Sequence, residues 1–448
     1  MPDWVRDSMW WHVYPLGFTG APHGASGDPE PAHRFAHLEA WLDHVVDLGL
    51  NGIALGPIFA SSTHGYDTTD HLRVDPRLGT AQDAESFFAA CHAKGLRVML
   101  DGVFNHVGRE HPAFQAVLEQ GAGAETAGWF HLEWSDGDGA GAVPRYRNFE
   151  GHDQLVALDH GSEAVVDLVT DAMCHWLDAG ADAWRLDAAY AVLPEFWARV
   201  LPRVRERHPD VYVVGEVIHG HYADVVTRSG MDAVTQYELW KAVWSGLNDT
   251  NFHEIAHALG RHDEFLATFV PWTFVGNHDV TRIASRLTDE RHLPHALALL
   301  FTVGGTPAVY YGDELAYRGV KEERFGGDDD IRPLFPASPA ELSELGADTL
   351  AVHRALVGLR RRHRWLHTAR PATLHLENDR FAYEVTGEGA RLVVALNLAD
   401  DAAVIPVTGA GEVLAGAARA HDGGVALEAH GWAVLDGGSD GSDGSRAS

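Results

Sequence analysis

Only two of the 448 residues are cysteine, Cys91 and Cys174, and both fall in helix-like stretches, SFFAACHAKGL and DAMCHWLDAG. Thiols so placed exclude a disulfide framework and fit a reducing compartment. Basic residues are also scarce: 34 Lys and Arg stand against 64 Asp and Glu, a formal charge of −30. So acidic a chain repels phosphate backbones and anionic bilayers, so neither nucleic acid nor membrane is expected as a partner. No run of about 20 apolar residues occurs. The opening MPDWVRDSMWWHVYPLGF lacks the basic start and unbroken apolar segment of a leader. These absences point to a soluble, cytoplasmic protein.

What the chain does contain is an alternation of short apolar strands with amphipathic helices, which predicts a parallel sheet with helical crossovers. The strand candidates are WHVYPLGF (11–18), GIALGP (52–57), RVMLDGVF (97–104), ADAWRLDA (181–188), VYVVGEV (211–217), AVTQYEL (233–239), TFVGNHD (273–279) and TPAVYYGDE (306–314). Eight is the number a closed (β/α)8 TIM barrel needs. The expected division is barrel over 1–106, a Gly- and aromatic-rich insertion subdomain over 107–160 after the third strand, and barrel again over 161–366. An antiparallel β-domain over 367–436 follows, and then a disordered tail over 437–448, where GGSDGSDGSRAS is of low complexity.

Within GADAWRLDAAY, strand alternation puts Arg185 and Asp187 on one face and Trp184 and Leu186 on the other. In a parallel barrel the reactive groups collect at the C-terminal strand ends. Those ends carry DGVFNH (101–106), Arg185 and Asp187, Glu216, NHD (277–279), and Asp313 with Glu314. Asp187, Glu216 and Asp279 close strands four, five and seven and so converge on one mouth, at a cost in repulsion unless the carboxylates are used. Cleavage of a glycosidic bond with retention uses such a set, with one carboxylate as nucleophile and a second as acid/base. The third then stabilises the transition state or holds the sugar. A fixed cation on the nucleophile's face gives Arg185 a purpose. Asp101 is expected to brace Arg185 and Asn105, Asp313 and Glu314 to serve barrel-end hydrogen bonding, and Trp184 to lie in the core.

The ordered motifs DGVFNH, ADAWRLDAA, GEV and FVGNHD, with HGYD after the second strand and GGTPAVYYGDE at the eighth, resemble those of the α-amylase family of retaining glycoside hydrolases. RLDAA and WRLD are nearest to its neopullulanase- and α-glucosidase-like members. The resemblance implies Asp187 as nucleophile, Glu216 as general acid/base and Asp279 as transition-state stabiliser. It further implies His106, Arg185 and His278 as substrate-holding groups and Tyr66 as a stacking platform. Asp67 and Arg332 resemble the pair with which some members grip a terminal glucose. The partner implied is a small α-glucoside, the reaction hydrolysis of short malto-oligosaccharides. Transglycosylation or isomerisation of the same sugars shares the first half-reaction and is the alternative. Tyr190 and Ala191 stand where many members carry a Lys-His pair, the acidic calcium loop after the first strand is missing, and LVALDH departs from the Pro-x-Leu-Asn pattern. No metal and no cofactor is therefore expected.

Two other readings compete. HEIAHALGRHD (253–263) matches a zinc-protease helix, with His253 and His257 one turn apart, Glu254 as base and Asp263 as a third ligand. Against it, no methionine follows His257, the five being Met1, Met9, Met99, Met173 and Met231. The stretch reads better as the barrel's sixth helix, burying Phe252, Ile255, Ala256 and Leu259 with both histidines on a polar flank. An inactive sugar-binding relative is the other reading, and it has no use for three carboxylates. His219 and His221 read as solvated loop residues.

Overall fold

The computed structural model describes residues 1–24, 30–134, 138–324 and 326–439. The chain divides into two compact units. The first comprises Met1–Val5, Trp10–Thr235 and Arg332–Leu342; the second comprises Arg6–Met9, Gln236–Ile331 and the chain from Ser343 onward.

Six parallel strands form the first unit's sheet: β1 (Trp10–Val13), β2 (Gly52–Leu55), β3 (Arg97–Gly102), β4 (Ala183–Leu186), β5 (Tyr212–Gly215) and β6 (Ala233–Val234), each paired with the next in chain order. Nearly every strand residue is buried, as expected of a sheet covered on both faces. Helices Ala81–Ala93, Glu163–Asp178 and Pro194–Arg207 supply crossovers. The first of these starts on a capping box in which Thr80 accepts from the Asp83 amide and Asp83 answers to the Thr80 amide. Gly52 is required by close approach, because a Cβ there would lie 2.4 Å from the Trp10 indole.

The insertion after β3 is a small antiparallel sheet in which His152–Ala157 pairs with His106–Gly108 and with Asn148–Phe149. It carries the helix Pro112–Gln120 and the two-stranded ribbon Leu132–Glu133 with Arg145–Tyr146.

The second unit holds β7 (Trp272–Phe274) and β8 (Thr306–Tyr310), which pair in parallel from Trp272 opposite Thr306. Its helices include Tyr237–Asn248, Phe252–Leu266, Leu293–Thr302 and Ala347–Arg362. A five-stranded antiparallel sheet follows, in the order Arg370–Leu376, Arg380–Gly387, Ala390–Asn397, Trp432–Ser439, Val413–Gly416, with a three-stranded sheet of Ala403–Ile405, Gly424–Leu427 and Arg419–His421. Ala382, Val393, Ala395, Ile405, Val425 and Leu435 make its core. The chain thus has the eight parallel strands of a TIM-like α/β fold followed by antiparallel sheets.

All eight strands fall where hydrophobic patterning puts them, but they are shorter. Pro15 opens the helical turn Pro15–Phe18, cutting the first strand at Val13. The sixth ends at Val234, and the Gln236 side chain then caps the helix Tyr237–Asn248 by accepting from the Leu239 amide. Arg370–Leu376 contains Pro371, which the sheet tolerates because this strand lies at its edge. Trp432–Ser439 runs into the stretch expected to be a tail, and residues 440–448 lie outside the described residues.

Candidate active site

The register of β4 on β3 sets Arg185 opposite Asp101, and β5 sets Val214 beside it, so the side chains that end these strands share one face. Arg185 Nη1 donates to Asp101 Oδ2 at 2.5 Å and to Asp187 Oδ1 at 3.4 Å, while Nη2 lies 2.8 Å from Glu216 Oε1. Burial works to lower its pKa, but Asp101, Glu216, Tyr66 and Asp187 outweigh that and hold it well above the ordinary value. One cation therefore bridges three carboxylates, engaging Asp101 and Glu216 more closely than Asp187. Glu216 Oε2 accepts the Ala188 amide at 2.9 Å, and the Glu216 carbonyl accepts the Tyr190 amide at 3.1 Å. Ala188 itself is left-handed, at φ 45° and ψ 35°, where the chain turns into the short helical turn Ala189–Ala191.

Around this centre, Tyr66 donates its hydroxyl to Asp101 Oδ2 at 3.0 Å, so Asp101 braces Arg185 and Tyr66 together. Asn105 was expected to lean on Asp101; its amide instead donates to His106 Nδ1 at 3.1 Å. His106 Nε2–H then donates to the Tyr66 carbonyl at 2.9 Å, and Phe149 of the insertion stacks on the ring at 4.8 Å. Burial pushes His106 down to about 4, so the imidazole is neutral. Tyr190 donates its hydroxyl to Glu150 at 2.8 Å, tying the turn after β4 to the insertion. Beside it opens a cavity of about 480 Å³ lined by Asn105, Phe149, Glu150 and Tyr190 among others.

Asp67 accepts the Thr63 amide at 3.1 Å and the Thr63 hydroxyl at 2.6 Å, with His64 Nδ1 at 4.0 Å. Arg332 lies 4.7 Å above the Tyr14 ring, and the Tyr14 hydroxyl donates to the His64 carbonyl at 2.8 Å. Burial raises the Tyr14 pKa, Arg332 and Arg77 oppose it, and Asp67 adds to it, so Asp67 and Arg332 act on one tyrosine. In the second unit, the Asp279 amide is fixed by Asn277 Oδ1 at 2.8 Å, and His278 Nε2 stands 2.9 Å from Asp279 Oδ2. Asn277 is in turn held by Tyr237 through a 2.9 Å hydrogen bond.

A model of the alpha amylase catalytic domain matches residues 35–348. The chain belongs to the alpha-amylase family of glycoside hydrolases. The cyclomaltodextrinase of Geobacillus thermopakistaniensis is 31% identical over 431 residues, which is 91% of this chain and 71% of that one. The intracellular maltogenic amylase of Bacillus subtilis is 30% identical over 71% of this chain and 57% of its own. Among solved structures, the ligand-free cyclic alpha-maltosyl-(1→6)-maltose hydrolase of Arthrobacter globiformis superposes with a TM-score of 0.82 at 25% identity, covering 97% of this chain and 99% of that one.

Membership in the alpha-amylase family replaces the zinc-protease reading, and the helix shows why its motif is accidental. His253 and His257 are exposed, whereas Phe252, Ile255 and Leu259 are buried as expected and Ala258 is buried in place of Ala256, which is half-buried. Glu254 accepts from Lys241 and Ser245, at 2.5 and 2.7 Å, and Asp263 is paired with Arg370. Trp184 is fully buried against Phe59 and Phe104, a core residue as expected. Asp313 is buried and paired with Arg282 at 2.8 Å, and Glu314 accepts the Gly312 amide. Residues that pattern reading missed are Tyr14, Thr63, Phe149 and Glu150. The first sits where a strand was expected to continue, and the last two lie in an insertion without a regular period.

Proposed function

We propose that the protein is a retaining α-glycosidase that hydrolyses short malto-oligosaccharides and related α-glucosides through a covalent glycosyl-enzyme. The observation that carries this reading is the single Arg185 guanidinium shared by Asp187, Glu216 and Asp101, with the other Glu216 oxygen held by the Ala188 amide. Two carboxylates so fixed suit double displacement. Asp187 attacks the anomeric carbon while Glu216 passes a proton to the departing oxygen; the glycosidic bond breaks and an ester to Asp187 forms. Glu216 then takes a proton from water, whose oxygen displaces Asp187, and both groups are restored. Asp279, its backbone fixed by Asn277, stabilises the oxocarbenium-like transition state, with His278 beside it. Tyr66 stacks on the sugar, Arg185 orients it through the carboxylates, and His106 exchanges its bond to the Tyr66 carbonyl for a sugar hydroxyl. Asp67 and Arg332 hold the non-reducing glucose.

The relatives named cyclomaltodextrinase and maltogenic amylase support maltodextrins as the substrate class. The Bacillus subtilis relative is named intracellular, which supports a cytoplasmic site of action here, to be checked by cell fractionation. Among the described residues no helix is long and apolar enough to cross a membrane. The decisive measurement is the anomeric form of the first product by NMR: the α-anomer is expected, and the β-anomer would overturn the mechanism. Alongside it, kcat/KM is expected to be higher on maltotriose than on soluble starch, with glucose among the earliest products. A rapid fall in starch viscosity before glucose appears would mean internal cleavage. Oligosaccharides longer than the substrate, appearing at high concentration, would mark transfer to sugars as the dominant second step.

A further inference from the structure

Outside the carboxylate site, a group of nitrogen and oxygen donors gathers in the second unit. Asp289 and His292 come from one short helical turn, in which Asp289 Oδ1 accepts the Arg291 amide and the His292 amide bonds back to the Asp289 carbonyl. His430 comes from the turn before the last strand, held by its amide bond to the Ala399 carbonyl at 3.1 Å. His292 Nε2 and His430 Nδ1 face each other at 3.0 Å, and one donor atom from each of Asp289, His292 and His430 lies within 4.8 Å of the others. Behind His430, its Nε2 stands 2.8 Å from Asp400 Oδ1.

We propose that Asp289, His292 and His430 bind a divalent transition-metal ion of the zinc class, with Asp400 as the positioning residue behind His430. The donor set, two imidazoles and a carboxylate, is one that zinc favours. Two zinc–nitrogen bonds of about 2.0–2.1 Å at a tetrahedral angle separate their nitrogens by roughly 3.3–3.4 Å, so the present 3.0 Å needs only a slight opening. The Asp400 carboxylate accepting the His430 Nε2 proton leaves Nδ1 with its lone pair forward, the carboxylate–histidine–metal arrangement. His292 Nε2 carries the proton now shared between the rings; for Nε2 to ligate, that proton moves to Nδ1 of the same ring, so His292 binds the metal as a neutral imidazole. Arg291 is the competitor. Its guanidinium donates to both Asp289 oxygens, at 2.6 to 3.1 Å, and approaches Asp400 to 3.7 Å. A carboxylate has about four lone-pair sites, and those of Asp289 already accept four hydrogen bonds from Arg291, so the metal displaces part of that guanidinium fork. Water completes the coordination. Such a site would clasp the helix Leu293–Thr302, which begins immediately after His292, to the turns of the antiparallel sheet.

The test uses the full chain, stripped with a chelator and titrated with zinc chloride or cobalt(II) chloride under calorimetry, optical absorption and thermal melting. One equivalent is expected to bind, to raise the melting temperature and, for cobalt, to give the intense visible bands of tetrahedral coordination. His292→Gln and His430→Asn should each abolish this; asparagine tolerates the left-handed backbone that His430 adopts at φ 52°. Asp400→Asn, at an exposed side chain, should fold normally and weaken binding by about 10- to 100-fold. The proposal is overturned if His430→Asn binds zinc as wild type does, if wild type shows no stoichiometric binding, or if His253→Ala/His257→Ala abolishes it instead. Calcium in place of zinc should leave the melting temperature unchanged, and a calcium-specific rise would equally count against it.

Discussion

Arg185 shows how one side chain can carry both structure and chemistry. Its planar fork presents several donors in fixed directions, so it reaches Asp101, Asp187 and Glu216 at once, which a lysine ammonium does not match. Fold and turnover should therefore separate by substitution. Asp187→Asn is expected to lower kcat on maltotriose by at least roughly three orders of magnitude with little change in melting, since the nucleophile is lost and the volume is kept. Arg185→Met is expected to cost about 3–5 kcal/mol of stability, because Asp101 and Glu216 stay buried without their cation. Near-normal turnover by Asp187→Asn, measured on protein free of wild-type carry-over, would refute the nucleophile assignment. Asp187, Glu216 and Arg185 were all legible in the sequence, because each ends a recognisable strand. Asp101 was expected to brace Arg185 and does, but that Arg185 also engages Glu216 more closely than Asp187 was not legible, because register, and not spacing along one strand, chooses its partners.

At the scale of elements, the turn after β4 does more than connect. Ala188 adopts a left-handed backbone, disfavoured for a residue with a Cβ; its amide holds Glu216, and Tyr190, two residues on, reaches Glu150. Ala188→Gly should relieve the strain and leave activity near wild type. Ala188→Val should cost about 1–3 kcal/mol and lower kcat, since a β-branched residue resists this conformation and releases the amide from Glu216. Urea unfolding and initial rates on both variants check this, and equal kcat for Val and wild type would show that the amide does not position the acid. Strand existence was legible here and strand length was not: Pro15 and the Gln236 cap end their strands through local backbone chemistry that hydrophobic alternation does not register.

Across the whole molecule, stability should depend strongly on pH. Burial pushes His106 and His262 down to about 4 and His111 and His367 to about 3, so each stays neutral in the fold while its unfolded form protonates near 6.5. Depressed values of this kind contribute stability above about pH 6.5, lost as pH falls toward 4 and below. Asp313 works the other way. Burial raises it to about 7 against the pull of Arg282, so its contribution is full below the ordinary carboxylate range and lost as pH rises through 7. Among these five groups, four protons against one set the sign between pH 4 and 6.5: stability should rise with pH, by about 4 kcal/mol per unit from them when all titrate fully, at roughly 1.4 kcal/mol per proton. Urea midpoints measured across that range test this. A flat profile, or one falling toward pH 6.5, would show that these imidazoles titrate normally.

The sequence by itself determined the α/β class, the eight strands and their order, the antiparallel C-terminal sheets and the family to which the motifs belong, because each is written in local periodicity and short spacing. Only the tertiary structure decided which partners those residues meet. Glu216 is held by an amide 28 residues away and His430 faces a histidine 138 residues away. The HEIAH motif, sound as a string, dissolves once its histidines are seen to face solvent and its acids to be paired elsewhere. Hydrogen bonds and ion pairs act over about 3 Å of space, and chain folding alone determines which distant residues come within that reach.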